Sequence, residues 1–349
     1  MKKIFIAIVA LAAATACSNS EIVSVNREAI TFDNAFVNNS TRSVVDPSFD
    51  ANDLKGEYVG FGVYGFVTGD PNNADNTTAP IFTNERVTWN STENAWEHNT
   101  VQYWINGATY NFAAIAPYSD STINSGLWTA TVANNTTTLN YKASGGDTDL
   151  LYAATPVENV TAGYNTPVSF NFRHILSKVK FTFKNEYDAT NTKIAVRTIV
   201  IKAPTKADAT LTANSTVWDN HDDIESYNFF SAGTQQSGGQ VVPAKLANGD
   251  PAESFNELLL IPTTHEVTYP VTFSVDLYVV NGETETLIKT FEHSHTFTVQ
   301  FQPGYSYNVK VTIDEENIDP AGAQKPIEFT VDENSNWGWT PGTLDINNM

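Results

Sequence analysis

The sequence predicts an all-β protein built from antiparallel β-sandwiches, and three observations support this. Apolar and polar residues alternate with a period of two along most of the chain after residue 28, as in strands with one buried face. Turn-forming pairs such as Asn281-Gly282 and Pro303-Gly304 separate these runs. Helical periodicity does not extend beyond a turn or two, and residues 219–230 are only a weak candidate for a short helix.

Four runs carry the alternation most clearly. Their apolar faces are Val179, Phe181 and Phe183; Val271, Phe273, Val275, Leu277 and Val279; Phe297, Val299 and Phe301; and Tyr307, Val309, Val311 and Ile313. Because each run is apolar on one face and polar on the other, we expect antiparallel sheets packed face to face.

The chain length predicts two domains. A chain of 349 residues suffices for about two domains of ordinary size. Short strands with polar loops come first, and longer, more regular strands begin at Val168. We therefore place a boundary within residues 160–172 and expect an N-terminal sandwich over residues 43–166 and a C-terminal sandwich over residues 167–349.

The N-terminus has the features of an export signal. Lys2 and Lys3 precede an uncharged apolar run, residues 4–14, which is shorter than the ~20 residues that span a bilayer and typical of a signal peptide. Small residues lead directly to Cys17, the only cysteine of the chain, as in a bacterial lipobox. We predict a signal peptide over residues 1–16 and lipidation of Cys17, which would anchor the exported protein to the outer membrane.

The charge balance excludes partners that require a basic surface. Asp and Glu number 39 against 19 Lys and Arg, which gives a formal net charge of −20. Nucleic acids and anionic membranes attract basic patches, so we expect no nucleic-acid partner and no electrostatic membrane binding. A strongly acidic chain of this kind fits an extracellular location.

Motifs of enzyme active sites are missing from the sequence. It contains no G-x-S-x-G, no H-E-x-x-H and no phosphate-binding loop, so we predict no catalytic residues, no cofactor and no metal. His293 and His295 share one face of a predicted strand, but only Glu292 is close enough in sequence to add a ligand. Two surface histidines are therefore favoured over a metal pair.

Three tryptophans offer a second interpretation of the function. Trp89, Trp96 and Trp104 lie close together in sequence and could form a platform on which sugars stack. A place in the core or at the edge of a sandwich is the favoured interpretation of the same residues.

A series of short segments matches a known family in order and spacing. They are Tyr103-Trp104 followed by residues 110–117 (YNFAAIAP), residues 149–153 (DLLYA), residues 168–179 (VSFNFRHILSKV), residues 258–262 (LLLIP), residues 303–307 (PGYSY), and a late strand, residues 327–331, before Trp337. Together they resemble the fimbrillin family of Gram-negative anaerobes, over most of the chain from about residue 28.

The resemblance implies a fold and a way of assembly. It implies two β-sandwich domains of transthyretin-like topology, export as a lipoprotein to the cell surface, and polymerisation with other fimbrial subunits. In the family, a trypsin-like protease cuts after an arginine near the N-terminus. The lipidated first strand then leaves, and a strand from another subunit enters the vacated groove. Such a protein would also serve adhesion to a host or bacterial surface ligand.

The residues themselves fit this scheme. The stretch 29–37 reads as a strand with Ile30, Phe32 and Phe36 on one face, interrupted by Asn34, and a polar loop ending at Arg42 follows. We therefore predict cleavage after Arg42, which would remove the lipidated segment 17–42. Arg27 is the second candidate, although cutting there would leave the strand in place.

The donor strand has two candidates near the C-terminus. Their alternating apolar residues are Ile327, Phe329 and Val331 in the first, and Leu344 and Ile346 in the second. A stalk subunit needs a groove and a donor, a tip subunit needs only the groove, and an anchor subunit keeps its lipidated strand. The predicted cleavage favours a stalk or a tip. The alternative functions are a monomeric glycan-binding lipoprotein of the cell surface and a glycoside hydrolase. No sequence motif supports the hydrolase.

Overall fold

The protein is all-β, as the sequence predicts. The structure, a computed structural model, describes residues 28–37, 50–56, 59–70, 77–133, 135–143, 145–229, 236–237, 240–241, 246–248, 253–318, 329–332 and 340–341. Within these ranges the chain forms strands and one 3-10 turn, Asp53–Lys55. In the same ranges, no helix has the length and apolar character of a membrane span.

The strands are numbered in chain order. They are β1 (Phe32–Val37), β2 (Phe61–Thr68), β3 (Ala79–Asn90), β4 (Ala95–Glu97), β5 (Thr109–Ala116), β6 (Trp128–Ala133), β7 (Thr136–Lys142), β8 (Leu151–Val157), β9 (Val168–His174), β10 (Ser177–Asn185), β11 (Thr192–Leu211), β12 (Thr216–Phe229), β13 (Gln236–Ser237), β14 (Gln240–Val241), β15 (Leu246–Ala247), β16 (Glu253–Ser254), β17 (Leu258–Leu260), β18 (Val267–Asn281), β19 (Thr284–Val299), β20 (Tyr305–Ile313), β21 (Phe329–Asp332) and β22 (Thr340–Pro341).

Three large sheets contain nearly all of these strands. The first has the order β1-β9-β8-β5-β2-β3-β4. The second has the order β16-β10-β20-β21, with β17 also beside β10 and β22 beside β20. The third has the order β19-β18-β11-β7-β6, with β12 and β15 also beside β11. The strands β13 and β14 form a separate two-stranded ribbon.

The second and third sheets pack face to face and enclose the larger core. Alternation places Phe181 and Phe183 of β10 on the inner face of the second sheet. There the Phe183 ring lies 5.2 Å from that of Phe273 on β18, and the Phe181 ring lies 6.4 Å from that of Phe297 on β19. These edge-to-face contacts are the favoured arrangement of aromatic pairs.

The central strands β2 and β5 of the first sheet are largely buried on both faces. One face packs against β6 and β7, where the Tyr152 hydroxyl lies 3.2 Å from the Thr137 hydroxyl and the Tyr64 hydroxyl donates to the Ala130 carbonyl at 3.5 Å. The opposite face carries a second core of aromatic and aliphatic residues, covered by Leu54, Trp96 and the segments around residues 28–32 and 100–105. Burial on both faces explains why β2 and β5 are apolar almost throughout.

The long strand β11 joins the two sandwiches. Its first half, from Thr192 to Ile201, pairs with β18, and its last six residues, from Lys206 to Leu211, pair with β7. Along the other edge, β12 pairs with β11 from Ile199 to Leu211. One continuous strand of 20 residues therefore contributes to the packing of the second and third sheets and, beside β7, to the layer that covers one face of the first sheet.

The strand order bears on two sequence expectations. The expected boundary between residues 166 and 167 lies between β8 and β9, which pair in the first sheet, while β6 and β7 belong to the third. The weak helix candidate at 219–230 is wrong, because most of that stretch lies in β12. The strand forms because its backbone pairs with β11, a contact that the local sequence pattern of residues 219–230 does not reveal.

Because β11 belongs to both sandwiches, we expect heat to unfold the chain in one cooperative transition. The substitution Ala209→Pro, at a buried position between Leu139 of β7 and Trp218 of β12, removes a central ladder donor and should cost about 3 kcal/mol or more. Differential scanning calorimetry should show a single transition that moves to lower temperature as a whole.

The matched control is Ala213→Pro in the exposed turn between β11 and β12, which should change the midpoint much less. Two separate transitions, of which Ala209→Pro shifts only one, would contradict the shared-strand account.

Candidate functional site at the N-terminal strand

The N-terminal segment is hydrogen-bonded on both of its edges. On one side, β1 runs parallel to β9, from Phe32 opposite Val168 to Val37 opposite Phe172. On the other side, the Ile30 amide donates to the Gln102 carbonyl at 2.8 Å, and the Trp104 amide donates to the Glu28 carbonyl at 3.0 Å. Residues 28–37 therefore fill a groove between the edge of β9 and the strip 102–104.

Two side chains anchor this segment in the core of the first sheet. Ile30 is 1% exposed and Phe32 is 4% exposed. The Phe32 ring lies 4.9 Å from His98, 5.6 Å from Phe82 and 5.8 Å from Phe170 between ring centroids. Phe32 therefore fills an aromatic pocket in the groove.

A β-bulge changes the face that follows Phe32. The register between β1 and β9 shifts between Asp33 and Ala35, so Ala35 lies opposite the buried Phe170 and is itself buried. Phe36 lies opposite the exposed Asn171, and its side chain lies outside the described part of the structure. An extra residue in one strand reverses the alternation beyond it, so Ala35 joins Ile30 and Phe32 among the buried residues of the segment.

The wall of the groove opposite β9 is held independently of the N-terminal segment. Glu85 on β3 accepts hydrogen bonds from the Asn99 and Thr100 amides, each at 2.8 Å, and from the Thr100 hydroxyl at 2.6 Å. Partial burial raises the pKa of Glu85, but these hydrogen bonds outweigh it and hold the pKa below its usual value. The strip 102–104 follows directly from this fixed turn.

One residue of that wall was not identified from the sequence. The Nε2 atom of His98 lies 3.2 Å from the Ile30 carbonyl oxygen, and the ring also contacts Phe32. No motif marks His98, because its role depends on the approach of two segments almost 70 residues apart in the chain.

Several predicted site residues lie outside the described ranges. Cys17, Arg27 and Arg42 are among them, and so are Ile327, Leu344 and Ile346. Of the candidate donor positions, Phe329 and Val331 fall in β21, which pairs antiparallel with Val311 and Val309 of β20. In this structure the first candidate donor is therefore part of its own subunit's second sheet.

The three tryptophans do not form a platform. Trp96 is 7% exposed and Trp104 is 4% exposed, and the Trp104 ring packs edge-on against Tyr110 and Tyr164. Trp89 is half-buried beneath Lys55, whose Nζ lies 4.1 Å from the ring centroid. The favoured interpretation, that these residues fill a core and its edge, agrees with this placement.

The two neighbouring histidines of β19 are packed against aromatic rings. His293 is 5% exposed and stacks on Phe273 at 5.0 Å, and the His295 ring lies 5.8 Å from His293 and 6.3 Å from Phe273. No group of three or more potential metal ligands occurs among the described residues. Sequence reasoning placed His293 on the surface, which is wrong, because Phe273 and His293 are cross-strand partners on the inner face.

Replacing Phe32 should weaken the first sheet selectively. Phe32→Ala empties the aromatic pocket and should lower the free energy of unfolding by about 3–5 kcal/mol, the usual cost of deleting a buried phenylalanine ring. The matched control is Thr31→Ala at the adjacent exposed position. Urea denaturation of the uncleaved, lipid-free precursor measures both, and equal effects of the two substitutions would rule out the anchoring role of Phe32.

Stability should fall in mild acid because of His293. Burial, and secondarily His295, lowers the pKa of His293 from its usual 6.5 to about 4. Above pH 6.5 the ring is neutral in both states and contributes nothing. Between pH 6.5 and about 4 only the unfolded chain binds the proton, so the free energy of unfolding decreases as pH falls, by on the order of 1–3 kcal/mol.

The substitution His293→Phe removes the titratable imidazole and preserves an aromatic ring that can stack on Phe273. Chemical denaturation at pH 7 and pH 4.5 should show a smaller acid-induced loss for this variant than for wild type. His265→Phe, at an exposed position, is the matched control, and a wild-type pH slope in His293→Phe would disprove the assignment.

Comparison with known proteins places the chain in a family. A fimbrial protein from Bacteroides vulgatus has a similar structure, with a TM-score of 0.62 and 18% identity, over 88% of this chain and 99% of that chain. A Bacteroides uniformis protein, provisionally described as a cell adhesion protein, has a TM-score of 0.42 and 17% identity, over 88% of this chain and 97% of that chain. No curated protein matches the chain. The sequence model of the fimbrillin-like proteins matches residues 41–331, and the chain therefore belongs to the fimbrillin-like family.

Proposed function

We propose that this protein is a stalk or tip subunit of a cell-surface fimbria that polymerises by strand exchange. Membership of the fimbrillin-like family indicates a fimbrial or adhesive protein of the cell surface. The observation that supports strand exchange is the placement of residues 28–37. They precede Arg42 in the sequence and fill a groove beside β9. Cleavage after Arg42 would detach this segment without cutting any other described strand.

The groove provides a driving force for exchange. Full burial of an apolar side chain stabilises a fold by ~1.5–3 kcal/mol, so loss of Ile30 and Phe32 alone costs about 3–6 kcal/mol. The unpaired edges of β9 and of the strip 102–104 add exposed backbone donors and acceptors. This loss approaches the whole stability of a typical domain, ~5–15 kcal/mol, so a replacement strand is strongly favoured.

The replacement strand must match the geometry that β1 leaves behind. It would run along β9 and place one large apolar side chain in the pocket of Phe32 and another in the site of Ile30. The β21 candidate would first have to leave β20, to which only four of its residues pair. The second candidate, with Leu344 and Ile346, follows the last described pair of residues, 340–341, at the end of the same sheet.

The lipid on Cys17 would then belong to a delivery stage. In the proposal, the exported precursor is held at the outer membrane by this lipid, and a trypsin-like, arginine-specific protease cuts after Arg42. Residues 17–42 keep the lipid, and the subunit begins at Ser43. Its partners are other fimbrial subunits during assembly and a host or bacterial surface ligand afterwards.

No described feature favours a hydrolase or a tryptophan-based glycan-binding monomer. Trp96 and Trp104, which such a monomer would use, are buried in the core of the first sheet.

Cleavage and assembly can be tested with one pair of substitutions. Mild trypsin treatment of the lipid-free precursor should release the segment that ends at Arg42 and produce a ladder of SDS-resistant oligomers. Arg42→Ala should keep the precursor monomeric. Arg27→Ala is the matched control, because a cut at that position leaves β1 in place, and this variant should polymerise like wild type.

Mass spectrometry of the released peptide identifies the cut, and gel electrophoresis without boiling detects the oligomers. If Arg42→Ala polymerises as well as wild type, the processing site is wrong. If the cut chain remains monomeric at high concentration, strand exchange is wrong.

A further inference from the structure

A cleft of about 320 Å³ opens at the first sandwich, away from the groove of β1. Its floor is formed by β2, β5 and β8, including Phe66 and Tyr152. Its two walls are the turn between β6 and β7, with Asn135 and Thr136, and the turn between β11 and β12, with Asn214. The volume is at the lower end of the ~300–1,000 Å³ typical of small-molecule sites.

The cleft is preformed, because Arg173 fixes one of its walls. The guanidinium of Arg173 on β9 donates to the carbonyl oxygens of Thr212 at 2.7 Å, Ser215 at 2.8 Å and Ala213 at 2.9 Å. The same group lies over the Tyr152 ring, 5.0 Å from its centroid. A turn held by three charge-assisted hydrogen bonds keeps its geometry before any ligand arrives.

The polar groups of the cleft are amides and hydroxyls. Asn111 projects from β5, and Asn135 and Asn214 project from the two turns. Within the described part of the chain, none of these three side-chain amides has a hydrogen-bond partner. Each amide offers two donors and an acceptor, which matches hydroxyl groups that both donate and accept.

The apolar and electrostatic properties narrow the ligand class further. The half-buried Phe66 ring provides an apolar surface beside the amides, and all the described lining residues are uncharged. The chain carries a formal net charge of −20, which repels anionic ligands. Amides beside an aromatic surface, in an uncharged cleft, suit a ligand with many hydroxyl groups and apolar C–H faces.

We propose that this cleft binds a neutral saccharide, with Asn111 and Asn214 as hydrogen-bonding residues and Phe66 as the apolar contact. A cleft of this volume accommodates about one or two sugar rings. The site does not depend on polymerisation, because all of its residues belong to one subunit. If the proposed fimbria forms, each subunit presents one cleft, and weak binding would be strengthened by multivalency.

The test uses the uncleaved, lipid-free precursor as a monomer, so that its outcome is separate from that of the assembly experiment. The probes are neutral trisaccharides of glucose, mannose, galactose and N-acetylglucosamine, with trigalacturonate as the anionic counterpart. Saturation-transfer NMR and calorimetric titration should detect at least one neutral trisaccharide with a Kd of about 0.1–10 mM.

Two substitutions with a matched control locate the binding. The double variant Asn111→Ala/Asn214→Ala should weaken binding about tenfold or more, because two hydrogen bonds to the ligand are lost. Asn228→Ala, an exposed amide on β12 outside the cleft, should bind like wild type. Ala213→Trp, at the exposed rim, should abolish binding by filling the mouth and provides a second variant if the first is unstable.

The proposal is overturned if no neutral trisaccharide binds at about 20 mM, the upper limit of the titration. It is also overturned if the cleft variants bind like Asn228→Ala, or if trigalacturonate binds more tightly than every neutral probe.

Discussion

The shared strand β11 is the constraint on which the rest of this structure depends. One half of its edge pairs with β18, and the other half pairs with β7, which packs against the first sheet. At ~3.3 Å per residue, a strand of 20 residues extends along both pairings without a linker. Buried residues from both halves of β11 belong to the one larger core that links the three sheets.

Buried polar contacts reinforce the seam beside β11. The Nδ1 atom of His174, at the end of β9, lies 2.7 Å from a carboxylate oxygen of Asp149, and both residues are almost fully buried. The Trp218 indole on β12 donates to the Ile175 carbonyl at 2.8 Å. The first contact ties the start of β8 to the end of β9, and the second ties β12 of the third sheet to the residue after β9. Removal of one partner of either contact leaves a buried polar group unsatisfied.

The N-terminal strand stands apart from this framework. β1 is an edge strand of the first sheet, and β9 is its only strand partner among the described residues. Its departure would leave β11 and the His174–Asp149 and Trp218–Ile175 contacts intact. The proposed function uses this difference, since a subunit that exchanges one strand must keep the remainder of its fold while the groove is empty. The candidate saccharide cleft is likewise built on the framework and not on the exchangeable strand.

The sequence by itself determined the strand content and the family of this protein, because a period of two and an ordered set of short segments can be read locally. The alternation in β10, β18, β19 and β20 identified buried faces, and residues 29–37 were recognised as a strand with Ile30, Phe32 and Phe36 on one face. Only the tertiary structure decided which strands are neighbours: the parallel β1–β9 pair, the transfer of β6 and β7 to the third sheet, and the bulge that brings Ala35 inward. Strand pairing and side-chain burial depend on contacts between residues far apart in the chain, so the place of β12, His98 and His293 could not be read from local pattern.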